Sequence, residues 1–228
     1  MALHPNGVHH LALSTRDVKA QIEFFTDVLG AELKALYWMH GVENTFHAFI
    51  ELNDSSYVAF VQHPDNSDRM ELGVTHAGNA GGPVPAGTMQ HVAFSVDSLD
   101  DLLAIRDRIR SRGVVVMGPM NHGMCQSMYF AGPEGLCLEV ATGRDIDERA
   151  WIDPEVQALA GISADDLARY LRPADYSRPA TAVPQPGNDP SKPHLVYPPK
   201  VYEIMRTRPD EAMWNAVLSD PPVQVDAA

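Results

Sequence analysis

Three short segments carry residues whose types and spacing suit metal chemistry. The first is Val8-His9-His10-Leu11-Ala12-Leu13-Ser14, the second is Gln90-His91-Val92-Ala93-Phe94-Ser95, and the third runs from His122 to Glu139. The third reads as a histidine, a short polar run, Met128-Tyr129, a Gly-Pro-Glu-Gly turn and a strand that ends on a carboxylate. Two imidazoles and a carboxylate on neighbouring strands suit a divalent first-row metal and leave coordination positions open. His10, His91 and Glu139 are therefore the candidate ligands of one ion. His122, Tyr129 and His9 are the further candidate residues of the same site.

The elements that must position these residues form an internal repeat. In the first half, Gly7 to Thr15 alternates like a strand. Asp17 to Leu29 then carries apolar residues at helical spacing, closed by Gly30. Extended runs follow at Glu32–Trp38, Thr45–Leu52 and Tyr57–Gln62, with Asn53-Asp54-Ser55-Ser56 as the turn between the last two. After a loop rich in Gly and Pro, from His76 to Thr88, the order returns. It gives a strand at Met89–Val96, a helix at Leu99–Arg112 closed by Gly113, and strands at Val114–Met117, Ser127–Phe130 and Leu136–Ala141.

Each half is thus strand, helix and three strands, which predicts an α+β fold of two βαβββ modules in a cup-shaped mixed sheet. The modules span about 7–62 and 88–142 of a domain covering 1–144. His10, Ala12 and Ser14 share one strand face, and His91, Ala93 and Ser95 share the equivalent one. Small residues beside each histidine leave an open surface there, while Leu11, Leu13, Val92 and Phe94 turn toward the helices. Aligned on the repeat, Phe60 stands where Glu139 stands, so the first module is expected to supply one ligand and the second two.

Residues 145–228 leave the pattern. Asp147 to Leu171 reads as helix in two pieces, starting near Asp153-Pro154 and Ile162-Ser163. Arg172 to Pro199 is a Pro-rich extended strap, and a short helix is expected from Pro209 to Leu218. This tail is expected to wrap the domain or a partner subunit.

Composition narrows the partners. The formal charge of -13 argues against nucleic acid and anionic membrane surfaces, which call for clustered Lys and Arg. No apolar run nears bilayer length, and MALHPNGVHH lacks the basic start and apolar core of a signal peptide, so a cytoplasmic protein is expected. Cys125 and Cys137 make no disulfide framework; Cys137 shares strand parity with Glu139 and could border the pocket. The acidic runs Asp97–Asp101 and Asp165-Asp166 read as helix caps, and Trp38, Trp151 and Trp214 as anchors for loops and tail. A lone strand histidine is ordinarily a hydrogen-bonded structural residue. Recurrence of His-x-Ala-x-Ser at equivalent positions of a repeat favours ligands instead.

On these residues the chain resembles the vicinal oxygen chelate superfamily, which includes glyoxalase I, methylmalonyl-CoA epimerase, bleomycin and fosfomycin resistance proteins, and extradiol dioxygenases. The resemblance covers roughly Gly7 to Thr142. His122, Met128-Tyr129, Pro133, Gly135 and Glu139 look most like the extradiol signature, from which Gly132 and Met120 depart. The resemblance implies that His10, His91 and Glu139 bind Fe(II), or Mn(II) or another divalent metal, and that a catechol-like or hydroquinone-like substrate and O2 share the open face. It also implies His122 and Tyr129 as hydrogen-bond donors in the pocket, and a homodimer. Two-domain extradiol enzymes carry an acid-base histidine where this chain has Ser56-Tyr57-Val58; His9, His47, His63 and His76 are the substitutes at hand.

Ligand count separates the chemistries of this superfamily. Glyoxalase-like lyases and isomerases use a fourth protein ligand, which Phe60 would not supply. Thiol transferases of the fosfomycin kind also use three ligands, but their substrate calls for a cationic patch, and the relevant loops offer only Lys34 and Arg69. A non-enzymatic drug-binding protein of the bleomycin-resistance kind would not need the triad.

Overall fold

The structure, a computed structural model, describes residues 3–143, 145–216 and 219–225. The first module contains β1 (His10–Ser14), α1 (Val18–Glu23), β2 (Glu32–Trp38), β3 (Phe46–Asn53) and β4 (Ser56–Gln62). The Asp17 carboxylate accepts from the Ala20 N–H at 3.0 Å and starts the helix. Beyond α1 the helix widens to π geometry over Phe24–Leu29, burying Phe25 and Val28, and ends on Gly30 in the left-handed region, φ 83°. The second module repeats the order with β5 (Val92–Ser95), α2 (Leu99–Ser111), β6 (Val116–Asn121), β7 (Gln126–Ala131) and β8 (Cys137–Thr142). Ser98 caps α2: its hydroxyl accepts from the Asp101 N–H at 3.1 Å and donates to the Asp101 carboxylate at 2.6 Å. The cap itself is thus serine, with the acids supporting it from the first turn.

Each module makes its own four-stranded mixed sheet, ordered β1-β4-β3-β2 and β5-β8-β7-β6. The first strand of each module runs parallel to the last, with Ala12 opposite Ala59 and Ala93 opposite Glu139. This register corrects the alignment of the halves. Ala59, not Phe60, occupies the position of Glu139, and Phe60 matches Val140. Phe60 is wholly buried on the other face, its ring 5.1 Å from that of Phe25. The correction leaves the ligand count alone, because alanine ligates nothing.

The backs of both sheets and both module helices share one core, which joins Phe25, Ile50 and Phe60 to Leu102, Ile109, Met128 and Leu138. The Phe25 ring meets Phe94 of β5 edge to face, centroids 6.0 Å apart, so the two modules pack through their helix-bearing sides. Two polar clamps reinforce that seam. The Arg108 guanidinium donates to the carbonyls of Thr26, Asp27 and Val28 at 3.1–3.2 Å, satisfying the end of the first helix from the second module. The Glu134 carboxylate accepts from the Thr15 hydroxyl (2.5 Å), the Arg16 N–H (2.7 Å) and the Gln21 amide (2.8 Å). Glu134 holds a positive φ of 54° within the 3-10 turn Pro133–Gly135, which aims its side chain across the seam.

The tail carries five short helices: α3 (Glu148–Trp151), α4 (Pro154–Leu159), α5 (Ala164–Leu171), α6 (Pro199–Thr207) and α7 (Asp210–Ala216), none with a buried residue. The expected starts at Asp153 and Ser163 are both capping residues. Asp147 to Leu171, expected as two helical pieces, forms three, and α6 was not expected; its Pro199 sits at the first position, where a missing N–H costs nothing. The expected end at Leu218 lies outside the described residues. Trp151 lies so close to Gly123 that a Cβ there would come within 2.7 Å of the indole, and Trp38 packs on Phe46 at 4.6 Å. Trp214, 75% exposed, anchors nothing of the kind expected. Among the described residues no helix is long and apolar enough to cross a membrane.

Candidate metal centre

The second module brings together four of the six candidate residues. Register sets their side: Tyr129 lies opposite Glu139, Ala131 opposite Cys137 and Met117 opposite Tyr129, all on the face turned away from the core. His91 immediately precedes β5, which is shorter than expected, and its Nε2 lies 3.0 Å from Glu139 Oε2. The Glu139 side chain is 7% exposed. Withdrawing a carboxylate from water this far is costly unless a cation or donors face it. The Tyr129 ring stands edge-on to His91, centroids 6.0 Å apart, and its Oη is 3.3 Å from His122 Nε2. Burial first, and then the Glu139 charge, push the Tyr129 phenol above its ordinary value, so it remains a proton donor at neutral pH.

Gln90, which sequence reasoning did not single out as a site residue, contacts the candidate ligand His91. Its Oε1 faces His91 Nδ1, and its Nε2 donates to the carbonyls of Asn79 (3.0 Å) and Gly82 (3.2 Å) in the inter-module loop. Gln90 Oε1 at Nδ1 and Glu139 Oε2 at Nε2 engage both ring nitrogens of His91 and so fix the orientation of the ring. This is the orienting arrangement of a histidine ligand. The adjacency of Gln90 to His91 in sequence was visible; its anchoring on a loop eight or more residues upstream was not.

His10 and His9 lie elsewhere. His10 is exposed on β1, its ring 5.4 Å from Phe49, with its Nδ1 3.0 Å from that of His9. Phe49 occupies in the first sheet the place of Tyr129 in the second, since it pairs with Ala59 as Tyr129 pairs with Glu139. His47, two residues before it, matches Ser127 in the same way. Burial, and then the neighbouring His10, lower the His47 pKa below its ordinary value. Among the described residues no three His, Cys, Asp or Glu side chains stand close enough to hold one ion. The single-chain pocket expected around His10, His91 and Glu139 is therefore not completed within the chain. The reason is the shared core, which turns the open faces of the two sheets away from each other.

The donor set of the second module fits two of the three members of a facial triad, the His91 imidazole and the buried Glu139 carboxylate beside it. His10, with an exposed ring on an edge strand, is chemically suited to be the third ligand. Beside Tyr129 lies an apolar cavity of about 400 Å³ bordered also by Met117, Leu136 and Cys137, with Met70 and Leu72 of the inter-module loop in its lining. Cys137 does border it, and burial raises its thiol pKa, which keeps it protonated.

Comparison with known proteins agrees with this architecture. The Glyoxalase family, described as the Glyoxalase/Bleomycin resistance protein/Dioxygenase superfamily, matches residues 7–140. Biphenyl-2,3-diol 1,2-dioxygenase 2 of Rhodococcus globerulus is 27% identical over 132 residues, covering 58% of this chain and 60% of that protein's own length. A probable lactoylglutathione lyase of Vibrio cholerae serotype O1 is 25% identical over 134 residues, covering 58% of this chain and 86% of that protein. Among solved structures, a glyoxylase/bleomycin resistance protein/dioxygenase domain from Frankia sp. EAN1pec superposes with a TM-score of 0.50 at 18% identity, covering 62% of this chain and all of that one, a likeness of fold.

Proposed function

The chain belongs to the Glyoxalase/Bleomycin resistance protein/Dioxygenase superfamily, and from that premise we propose that it is a mononuclear non-haem Fe(II) dioxygenase acting on a catechol-like or hydroquinone-like aromatic substrate. His10, His91 and Glu139 would hold the ion, with Mn(II) as the alternative metal. The observation that carries the reading is the group His91–Glu139–Tyr129–His122: a ligand pair with a protonated phenol and an imidazole directly beside it.

The bound ion would supply adjacent open positions for two substrate oxygens and O2. The remaining work falls to side chains. Gln90 holds the His91 ring in one orientation. Tyr129, kept protonated, donates a hydrogen bond toward an oxygen placed over the ligand pair, and His122 passes a proton to or from its Oη. The apolar cavity beside Tyr129 receives the ring and excludes water from it. Ala59 at the fourth-ligand position leaves the coordination sphere open, which favours oxygen chemistry over the lyase and isomerase reading.

The test is metal content of anaerobically purified protein, followed by oxygen uptake on a panel of catechols and hydroquinones. About one iron per chain with stoichiometric O2 consumption is expected. Metal-dependent turnover of a thiol or aldehyde adduct without oxygen uptake would move the function to the lyase and transferase branch. Tight ligand binding by a protein that takes up no metal would make it a binding protein.

A further inference from the structure

We infer that Trp151, in the first helix of the C-terminal tail, is a positioning residue for His122 and, through it, for the Tyr129 phenol. The inference rests on the roles proposed above for that pair and deepens them by naming what holds the pair in place.

His122 sits at the tip of the β6–β7 hairpin, and the hairpin alone does little to fix its ring. Strand β6 is the edge of its sheet. From Asn121 to Met124 the tip is exposed, in contrast to the buried Ser127 and Met128 that follow. Its backbone is shaped locally: the His122 N–H donates to the Cys125 carbonyl at 2.8 Å, and the Gly123 N–H to Asn121 Oδ1 at 2.8 Å. Neither bond reaches the imidazole. The contact of that ring with Tyr129 is long, 3.3 Å from Nε2 to Oη, with centroids 6.2 Å apart. So long a contact weakens further with any shift of the backbone that bears the ring.

The chain leaving β8 supplies the missing support. Thr142, the last residue of β8, pairs with Gln126 at the foot of the tip. Gly143 then passes so near that a Cβ on it would stand 2.6 Å from the Met124 carbonyl oxygen. Farther on, the Asp147 carboxylate accepts from the Arg149 N–H at 3.0 Å and pairs with the Arg149 guanidinium at 2.8 and 2.9 Å, which fixes the start of α3. Helix α3 ends by laying the Trp151 indole on Gly123, its Cη2 and Cζ2 lying 2.7 and 2.8 Å from where a Cβ would be. The indole is 47% exposed, a plate set on the tip rather than a side chain sunk in a core. What it presses on is the backbone next to His122.

That placement has a kinetic meaning. Misplacing a reacting group by about 1 Å can cost on the order of a hundredfold in rate, and an exposed hairpin tip without its plate has that freedom. The proton path from His122 to Tyr129 is therefore a property of the two-module domain and the tail together.

The test separates placement from turnover. In the metal-free whole chain with isotope-labelled histidine, the His122 Nε2 resonance should differ between wild type and Tyr129→Phe, and Trp151→Ala should move it to the Tyr129→Phe position. A nuclear Overhauser contact between the Trp151 indole and the Gly123 α-protons is expected in wild type. Absence of that contact, or a Trp151→Ala resonance unchanged from wild type, would overturn the inference whatever the protein catalyses. Identical resonances in wild type and Tyr129→Phe would remove the His122–Tyr129 pair, and the inference with it, while leaving the metal ligands untouched. With an aromatic substrate that the metal-loaded protein turns over, Trp151→Ala should lower kcat about a hundredfold at unchanged KM and metal content. In a His122→Ala background the same substitution should cost nothing more. Equal losses in both backgrounds would mark a merely structural tryptophan and sink the inference with the proposed activity intact. No oxygen uptake with any diol would defeat the proposed activity instead, and the resonances still decide whether Trp151 places His122. Circular dichroism checks each fold, and Trp151→Leu repeats the comparisons if the alanine protein is unfolded.

Discussion

Tyr129 and Glu139 face each other across the β7–β8 pair, so that a phenol raised above its ordinary pKa shares one sheet face with a buried carboxylate. The carboxylate helps keep the phenol protonated, and His122 Nε2 at 3.3 Å gives its proton somewhere to go.

Replacing Tyr129 with Phe keeps the ring and removes only the donor. Turnover of an identified aromatic substrate should fall by roughly a hundred- to ten-thousand-fold, the usual worth of a positioned proton donor. Metal content should stay at the wild-type level. Steady-state kinetics beside metal analysis checks both, and a full-speed Tyr129→Phe protein would remove this residue from the chemistry.

Gln90→Leu tests the orientation of His91. Without the amide anchored on Asn79 and Gly82, the ring loses the partner of its Nδ1. Metal affinity is expected to fall by about 10–100-fold, the typical cost of removing such a partner. Competition titration against a chelator measures it. Gln90→Glu, which retains an acceptor for Nδ1, should lose less.

Glu134→Ala probes the seam rather than the site. Three donors, two of them on the buried residues Thr15 and Gln21, lose their acceptor. Each buried donor left unpaired costs about 1–3 kcal/mol, so the denaturant midpoint should drop measurably. An unchanged midpoint would show that the clamp adds nothing to the packing of Phe25 on Phe94.

His47 predicts a pH dependence in the metal-free protein. Its folded pKa lies below the ordinary 6.5, so the unfolded chain takes up the proton first as pH falls. The associated stability is complete above about pH 6.5 and declines as pH drops from there toward the lowered folded value. His47→Phe should flatten that part of the stability–pH curve, as followed by thermal melts between pH 5 and 8; an unaltered slope would contradict the shift.

Much of this was legible in the chain itself. The repeat, the cap at Gly30, the hairpin turn before Ser56 and the grouping of His91, His122, Tyr129 and Glu139 follow from local pattern, because strand parity and turn chemistry are local. The Phe60 misalignment arose because Tyr57-Val58-Ala59-Phe60-Val61 is apolar on both faces, and alternation then says nothing of which side is which. Only pairing with β1 resolves it. The separation of His10 from the other ligands was hidden for a different reason: it depends on how two finished modules pack. That is decided by a long-range contact, Phe25 against Phe94, with no signature in either segment alone.

The register that sets Ala59 against Glu139 and Phe49 against Tyr129 also describes a history of duplication. Two copies of one module have diverged until one face holds the reactive groups and the other mostly an aromatic wall. Such a division separates what natural selection can change from what it must keep. On the function proposed above, substitutions among the contacting rings of Tyr37, Phe49 and Tyr57 would alter the aromatic face and leave the carboxylate, phenol and imidazoles of the other face as they are. A lineage built this way can move to new substrates without reinventing its chemistry.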